Sequence, residues 1–229
     1  VTVGNFYEQF GNGLIFRSYE EKNLGIDNAM DGIRLKYSPS KGLVLKGFVG
    51  KQRFFFEHGP GIIRGFDSEL NLNEAIFLFE NSKTNILLGG SFVSRFQADE
   101  EPAYDMPENV AAYAARTTIS RGKINFNSEY AYKYNDPKGG SSGSNFAPGN
   151  ALMSNISFSQ KGLGIILEAH RIDNMDFRSD RNASGKELTL SFIPAITKQH
   201  VYTLAAFYPF ATQPMGELGY QGEINYAFK

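Results

Sequence analysis

The 229-residue chain contains no cysteine and no tryptophan. Without cysteine, neither a disulfide framework nor a thiolate-ligated metal site is possible, and an oxidising compartment such as the periplasm is open to it. There is no run of eighteen apolar residues, so no transmembrane helix is expected. A membrane is not thereby excluded, because barrel strands turn only every second side chain to lipid. The net charge is −1 and the charges are mixed along the chain. With no basic block, neither a nucleic-acid partner nor a polybasic anchor is expected. The chain begins at Val1 with no signal peptide and ends in mid-pattern at Asn225-Tyr226-Ala227-Phe228-Lys229. If the protein is exported, a mature chain or an internal fragment is expected, and the C-terminal pattern favours the fragment.

What is present is aromatic and extended. Twenty Phe and 12 Tyr suit strands and interfacial girdles. Strands are expected at 1–7, 13–19, 30–37, 43–54, 62–72, 86–96, 110–121, 123–134, 150–160, 163–172, 186–193, 200–210 and 217–228, about thirteen in all. Turns are expected at 8–12 and 38–42 and loops at 20–29 and 55–61, while the apolar connection 73–84 reads as a short helix or an extra strand, the helix being favoured. From residue 86 onward, long and tight connections alternate (97–109, Gly122, 135–149, 161–162, 173–185), which puts the long ones on one edge of an up-and-down sheet. The Gly/Ser-rich stretch 135–149 lies in one of these long loops.

Each clear strand has two unlike faces. In 123–134, Ile124, Phe126, Ser128, Tyr130, Tyr132 and Tyr134 oppose Lys123, Asn125, Asn127, Glu129, Ala131 and Lys133. Leu218, Tyr220, Ile224, Tyr226 and Phe228 oppose Glu217, Gln221, Glu223 and Asn225, and Phe66, Leu70 and Leu72 oppose Asp67, Glu69, Asn71 and Asn73. In 32–38, Ile33, Leu35 and Tyr37 oppose Arg34, Lys36 and Ser38. Period two with full charges on one side marks strands. Alternation does not say which face is interior: a soluble sandwich hides the apolar face, whereas a barrel in lipid hides the polar one. Strand length and aromatics near strand ends favour the barrel, since crossing a bilayer takes about 9–11 tilted residues. The sandwich stays as the architectural alternative.

The segment Asn5-Phe6-Tyr7-Glu8-Gln9-Phe10-Gly11-Asn12-Gly13-Leu14-Ile15-Phe16-Arg17-Ser18-Tyr19-Glu20-Glu21, followed by Leu24-Gly25-Ile26-Asp27-Asn28, resembles the opening motif of an uncharacterised outer-membrane β-barrel family of Bacteroidota. Tyr208-Pro209-Phe210-Ala211-Thr212-Gln213-Pro214-Met215-Gly216-Glu217 resembles that family's second recurrent motif. The resemblance spans most of the chain. It implies an outer-membrane location and a barrel fold, in a family whose members run longer than this chain. No functional residue is transferred by it.

Chemistry is sparse. His170 shares a strand face with Glu168, a spacing open to acid/base work or a metal but more common in a plain polar wall. His58 and His200 fall in turns, and no Gly-x-Ser-x-Gly marks a nucleophile, so no enzyme is expected. Asp99, Glu100, Glu101, Asp105 and Glu108, and Asp173, Asp176 and Asp180, offer oxygens for Ca²⁺ without the spacing of an EF-hand, and read as solvated loops. Asn182-Ala183-Ser184 is a glycosylation triplet of low specificity. Gly4, Gly11, Gly13, Gly47, Gly50, Gly89 and Gly90 read as places where a sheet bends. Arg17, Arg53, Arg95, Arg116 and Arg171 recur within strands, and those near mid-strand must face inward and pair with Glu129, Glu168 or similar carboxylates.

The expectation is therefore all-β: one domain over 1–229, a fragment of an antiparallel up-and-down transmembrane β-barrel of about 12–14 strands. The expected function is a passive channel or transport-related pore of a Gram-negative outer membrane. The alternative is a non-conducting envelope scaffold or surface-binding barrel, marked by segments folded into its lumen, for which Phe146-Ala147-Pro148 is a candidate. The expected partners are outer-membrane lipid and other envelope proteins. No catalytic, cofactor-binding or metal residue is assigned.

Overall fold

The computed structural model describes residues 1–100, 105–137, 146–183, 187–196 and 212–228, and strands dominate it. They are β1 (Thr2–Phe6), β2 (Glu20–Glu21), β3 (Ile26–Asp27), β4 (Met30–Ser40), β5 (Leu43–Phe54), β6 (Glu57–Asn71), β7 (Thr84–Phe96), β8 (Asn109–Arg121), β9 (Ile124–Lys133), β10 (Gly149–Gln160), β11 (Leu163–Asp173) and β12 (Gly216–Tyr226). Ten form a single sheet in the order β1-β4-β5-β6-β7-β8-β9-β10-β11-β12, antiparallel throughout. β2 and β3 make a separate small pair. The chain is all-β. Among the described residues no second large sheet packs on the first. β1 pairs with β4 and β12 with β11, and no described pairing joins β1 to β12 to close the sheet.

Connections sort by edge. On one edge, tight reversals at Gly42, Gly122 and Gly162 adopt positive φ (75°, 57° and 83°), which a glycine accepts without strain. The fourth connection there carries the expected short helix, α1 (Leu72–Ala75), followed by a 3₁₀ turn at Phe77–Phe79. Asn71 caps α1, its side-chain oxygen accepting from the Asn73 N–H at 3.1 Å. The other edge carries the long excursions between β1 and β4, β7 and β8, β9 and β10, and β11 and β12. One connection on this edge departs from expectation. The loop anticipated at 55–61 is a reversal at Phe55 and Phe56, with β6 starting at Glu57.

Against an expected count of about 12–14 strands, the described residues place ten in the sheet. Two expected strands lie on the sheet, not in it. Segment 13–19 runs across one face, with Leu14, Ile15 and Phe16 all fully buried. A half-buried strand cannot hide three consecutive side chains, so this run needed cover on every side. Segment 186–193 is extended in its described part, where it forms an Arg178–Thr189 bridge and no ladder with the sheet, while β11 pairs directly with β12. The strand expected at 200–210 lies outside the described residues.

Those two segments bond to each other: the Arg17 N–H donates to Leu190 O at 2.8 Å and the Phe192 N–H to Gly13 O at 2.9 Å. Together they build the core against one face of the sheet. Phe10 and Phe16 pack with Phe6 and Phe48, ring centroids 4.5–5.8 Å apart. A register row of small residues, Ala114-Ala131-Ala151, belongs to the same buried cluster as Met175 and Phe177. Full burial of Phe10, Leu14, Ile15 and Phe16 is worth about 1.5–3 kcal/mol each. Segment 7–29 is therefore a fixed part of the fold.

Candidate functional site

The covered face is the charged one. Following the register, Asp67 and Ser91 share one inward row, and Glu69, Arg116, Glu129 and His170 the next. Arg116 donates to Asp67 Oδ1 at 2.8 Å, Glu69 Oε1 at 2.9 Å and Ser91 Oγ at 2.7 Å, and Ser91 donates to Asp67 at 2.7 Å. Lys46 joins Asp67 (3.6 Å) to Glu8 (3.7 Å), and Glu8 also meets Arg34 at 3.3 Å. The network thus runs from the sheet wall into the overlying segment. Asp67 is fully buried, and a buried carboxylate is tolerable only with such partners.

A second set of contacts fastens the overlying segments. Glu129 accepts the Asn12 N–H at 2.7 Å. A Cβ on Gly11, whose φ is +54°, would strike the Glu129 carboxylate, so only glycine fits there. Lys133, fully buried, donates to Asp176 O at 2.8 Å, while Arg95 pairs with Asp136 at 2.6 Å and donates to Arg178 O at 3.1 Å. Gln52 donates to Thr189 O at 2.9 Å and accepts from Ser179 Oγ at 2.6 Å. Gly61 leaves the space in which the Ser179 carbonyl sits. In the overlying loop, desolvation pulls the Arg178 and Arg181 guanidinium groups below their ordinary pKa, partly offset by Glu187 and Asp136 at Arg178 and by Asp136 and Asp99 at Arg181.

The anticipated site residues divide plainly. His170 does face inward with Glu168, yet its Nε2 meets Glu217 at 2.5 Å, and Glu168 accepts from Asn155 Nδ2 at 2.8 Å. They line a cavity of about 300 Å³ with Asn12, Asn127 and Pro194. The Ser154 hydroxyl, which also lines this cavity, bonds the Ser128 hydroxyl at 2.8 Å. His58 pairs with Asp31 at 2.9 Å on the surface, and His200 lies outside the described residues. The acidic loops bind the chain to itself: Asp99 accepts the Met106 N–H at 3.0 Å, Asp180 accepts from Gln97 at 2.8 Å, and Asp176 forks onto Arg178. Among the described residues no three acidic or histidine side chains gather as metal ligands.

Of the five arginines, Arg95 and Arg116 are inward and paired as expected, though with Asp136, Asp67 and Glu69 and not Glu129 or Glu168. Arg53 pairs with Asp27, and Arg17 stacks on aromatic rings. Arg171 is exposed near the end of β11, in register with Leu152 and Leu218 of the apolar face. Of the glycines read as bends, Gly11 serves close approach of the covering segment instead, and Gly89 leaves room for the Arg116 side chain. The Asn174 side chain holds Ala147 O at 2.9 Å and Pro148 O at 3.3 Å, so the candidate loop segment is tied to the start of the β11–β12 excursion. The principal covering segments, 7–29, 174–183 and 187–196, were not anticipated in that role. Their signal was the unbroken Leu14-Ile15-Phe16 run.

Over residues 1–229 the chain matches a family of unknown function, DUF6029. It belongs to that family. No curated protein and no solved structure matches it. The family description carries no activity, so the functional argument rests on the geometry.

Proposed function

We propose that this DUF6029 chain is the wall of an outer-membrane β-barrel whose interior is filled by its own segments, and that it works as a non-conducting scaffold or surface-binding barrel. One observation carries the reading: the charged face of the sheet is covered by the chain itself, while the apolar face is bare. Ile33, Leu35, Tyr37, Val49, Phe66, Tyr130, Leu167, Tyr220 and Ile224 stand between 44% and 74% exposed, all on that outer face. An apolar face spread over the whole sheet is far larger than a soluble monomer leaves in water, and lipid is the medium that suits it. Sheet strands β4–β12 of 10–15 residues match the length a tilted strand needs.

Of the two functions open to such a barrel, the covering segments favour the one without conduction. A passive pore needs a continuous wet path, and here the Phe10, Leu14, Phe16 and Phe177 side chains occupy the inner side. The test is reconstitution of the full chain into a planar bilayer. Insertion without stable current steps is expected. Stable, ion-selective steps would overturn the scaffold reading in favour of a channel. Failure of the protein to enter lipid at all would remove the barrel assignment.

A further inference from the structure

The long-connection edge holds a cavity of about 580 Å³ between the β2–β3 pair, the β5–β6 reversal and segment 187–195. Its size falls within the range of sites for small organic ligands. The walls are largely apolar and aromatic: Tyr19, Phe54, Phe55, Leu188, Phe192 and Pro214. Two of them hold strained backbones, Phe55 at φ 52° and Leu188 at φ 50°. A non-glycine residue in that region costs on the order of 1 kcal/mol, and such strain concentrates where a ligand is clamped. Phe55 recovers little of that cost by burial, since it is 71% exposed and its neighbour Phe56 fully so.

The charge lining the cavity is unbalanced. Among the described residues that line it, two guanidinium groups face three carboxylates. Arg53 is held by Asp27, and Arg178 is gripped by both oxygens of Asp176 at 2.9 and 3.0 Å. The exposed Glu187 carboxylate makes no contact ion pair among the described residues and acts on Arg178 only at longer range. The rings already attract positive charge: the Arg17 guanidinium lies 3.9 Å from the Phe192 centroid and 4.5 Å from that of Tyr19. From this combination we infer that the cavity is a binding site for an amphipathic organic cation, its apolar or aromatic body against Phe54, Phe55 and Leu188 and its ammonium or guanidinium group toward Glu187.

This inference goes beyond the barrel assignment and stands apart from it. The test uses the full chain in a zwitterionic detergent, with phenethylammonium as probe and phenylacetate as its anionic counterpart. The native chain has no tryptophan, so Phe55→Trp supplies a single fluorescent reporter, and ligand-observed NMR on the unaltered protein checks that the reporter itself is benign. Saturable binding of phenethylammonium is expected, weakened about threefold in Glu187→Gln, as for a partly solvated charge contact. Phenylacetate should bind more weakly than the cation. Equal binding of the two probes, or an unchanged affinity in Glu187→Gln, overturns the charge assignment. Absence of saturable binding to the unaltered, folded protein overturns the site.

Discussion

Replacing Asp67 by Asn tests whether the charged face is an interior held by ion pairs. Asp67 is fully buried, 2.8 Å from Arg116 and 3.6 Å from Lys46. At an effective dielectric of about 20, the attraction to Arg116 alone is about 6 kcal/mol. Asn keeps an oxygen for the Ser91 and Arg116 donors but removes the charge that offsets Arg116 and Lys46. Arg116 is then left with Glu69, and Lys46 with Glu8 at 3.7 Å. Breaking one side of a buried pair costs about 3–5 kcal/mol. The retained hydrogen bonds place Asp67→Asn near the lower end. The assay is urea unfolding of the detergent-solubilised chain, followed by loss of the sheet circular dichroism. Arg116→Gln should cost as much or more, and the double variant should cost clearly less than the sum, because the two residues share one interaction. A loss below about 1 kcal/mol for Asp67→Asn, typical of solvated surface pairs, would refute the reasoning.

Two further outcomes are expected. Leu167→Lys puts a charge mid-strand on the bare face, where Leu167 is 53% exposed, and should cost about 2–4 kcal/mol in lipid; folding yield into vesicles measures this, and a yield equal to the parent's counts against a lipid-facing surface. Gly61→Ala drives a Cβ into the Ser179 carbonyl and should lift segment 174–183 from the sheet at a cost of about 1–3 kcal/mol. Trypsin should then cleave at Arg178 and Arg181 much faster, since both are buried in the parent; unchanged cleavage would mean the loop is not held there.

Much of the wall was legible residue by residue. The face assignment in β9 is as the alternation predicts: Ile124 and Tyr130 point one way, Glu129, Ala131 and Lys133 the other. The tight turns at Gly122 and 161–162 fall where expected. The site was not legible, because its contacts join residues far apart in sequence: Asn12 with Glu129, Gln52 with Ser179, Arg95 with Asp136. Local pattern carries no record of such partners. His170 shows the difference, its neighbour in sequence being Glu168 and its partner in space Glu217 on the adjacent strand.

The sequence by itself determined that this is an all-β chain and where most strands run, because period-two alternation and turn chemistry are local properties. It also determined which side chains share a face. It could not determine which face is inside, since alternation is unchanged when interior and exterior are exchanged. Nor could it tell a strand paired in the sheet from an extended segment laid across it, since both have the same backbone and differ only in partners. Tertiary structure decided both. Segments 7–29, 174–183 and 187–196 bring their own apolar side chains to the charged face, with a backbone donor for Glu129 and a backbone acceptor for Lys133, and leave the apolar face uncovered.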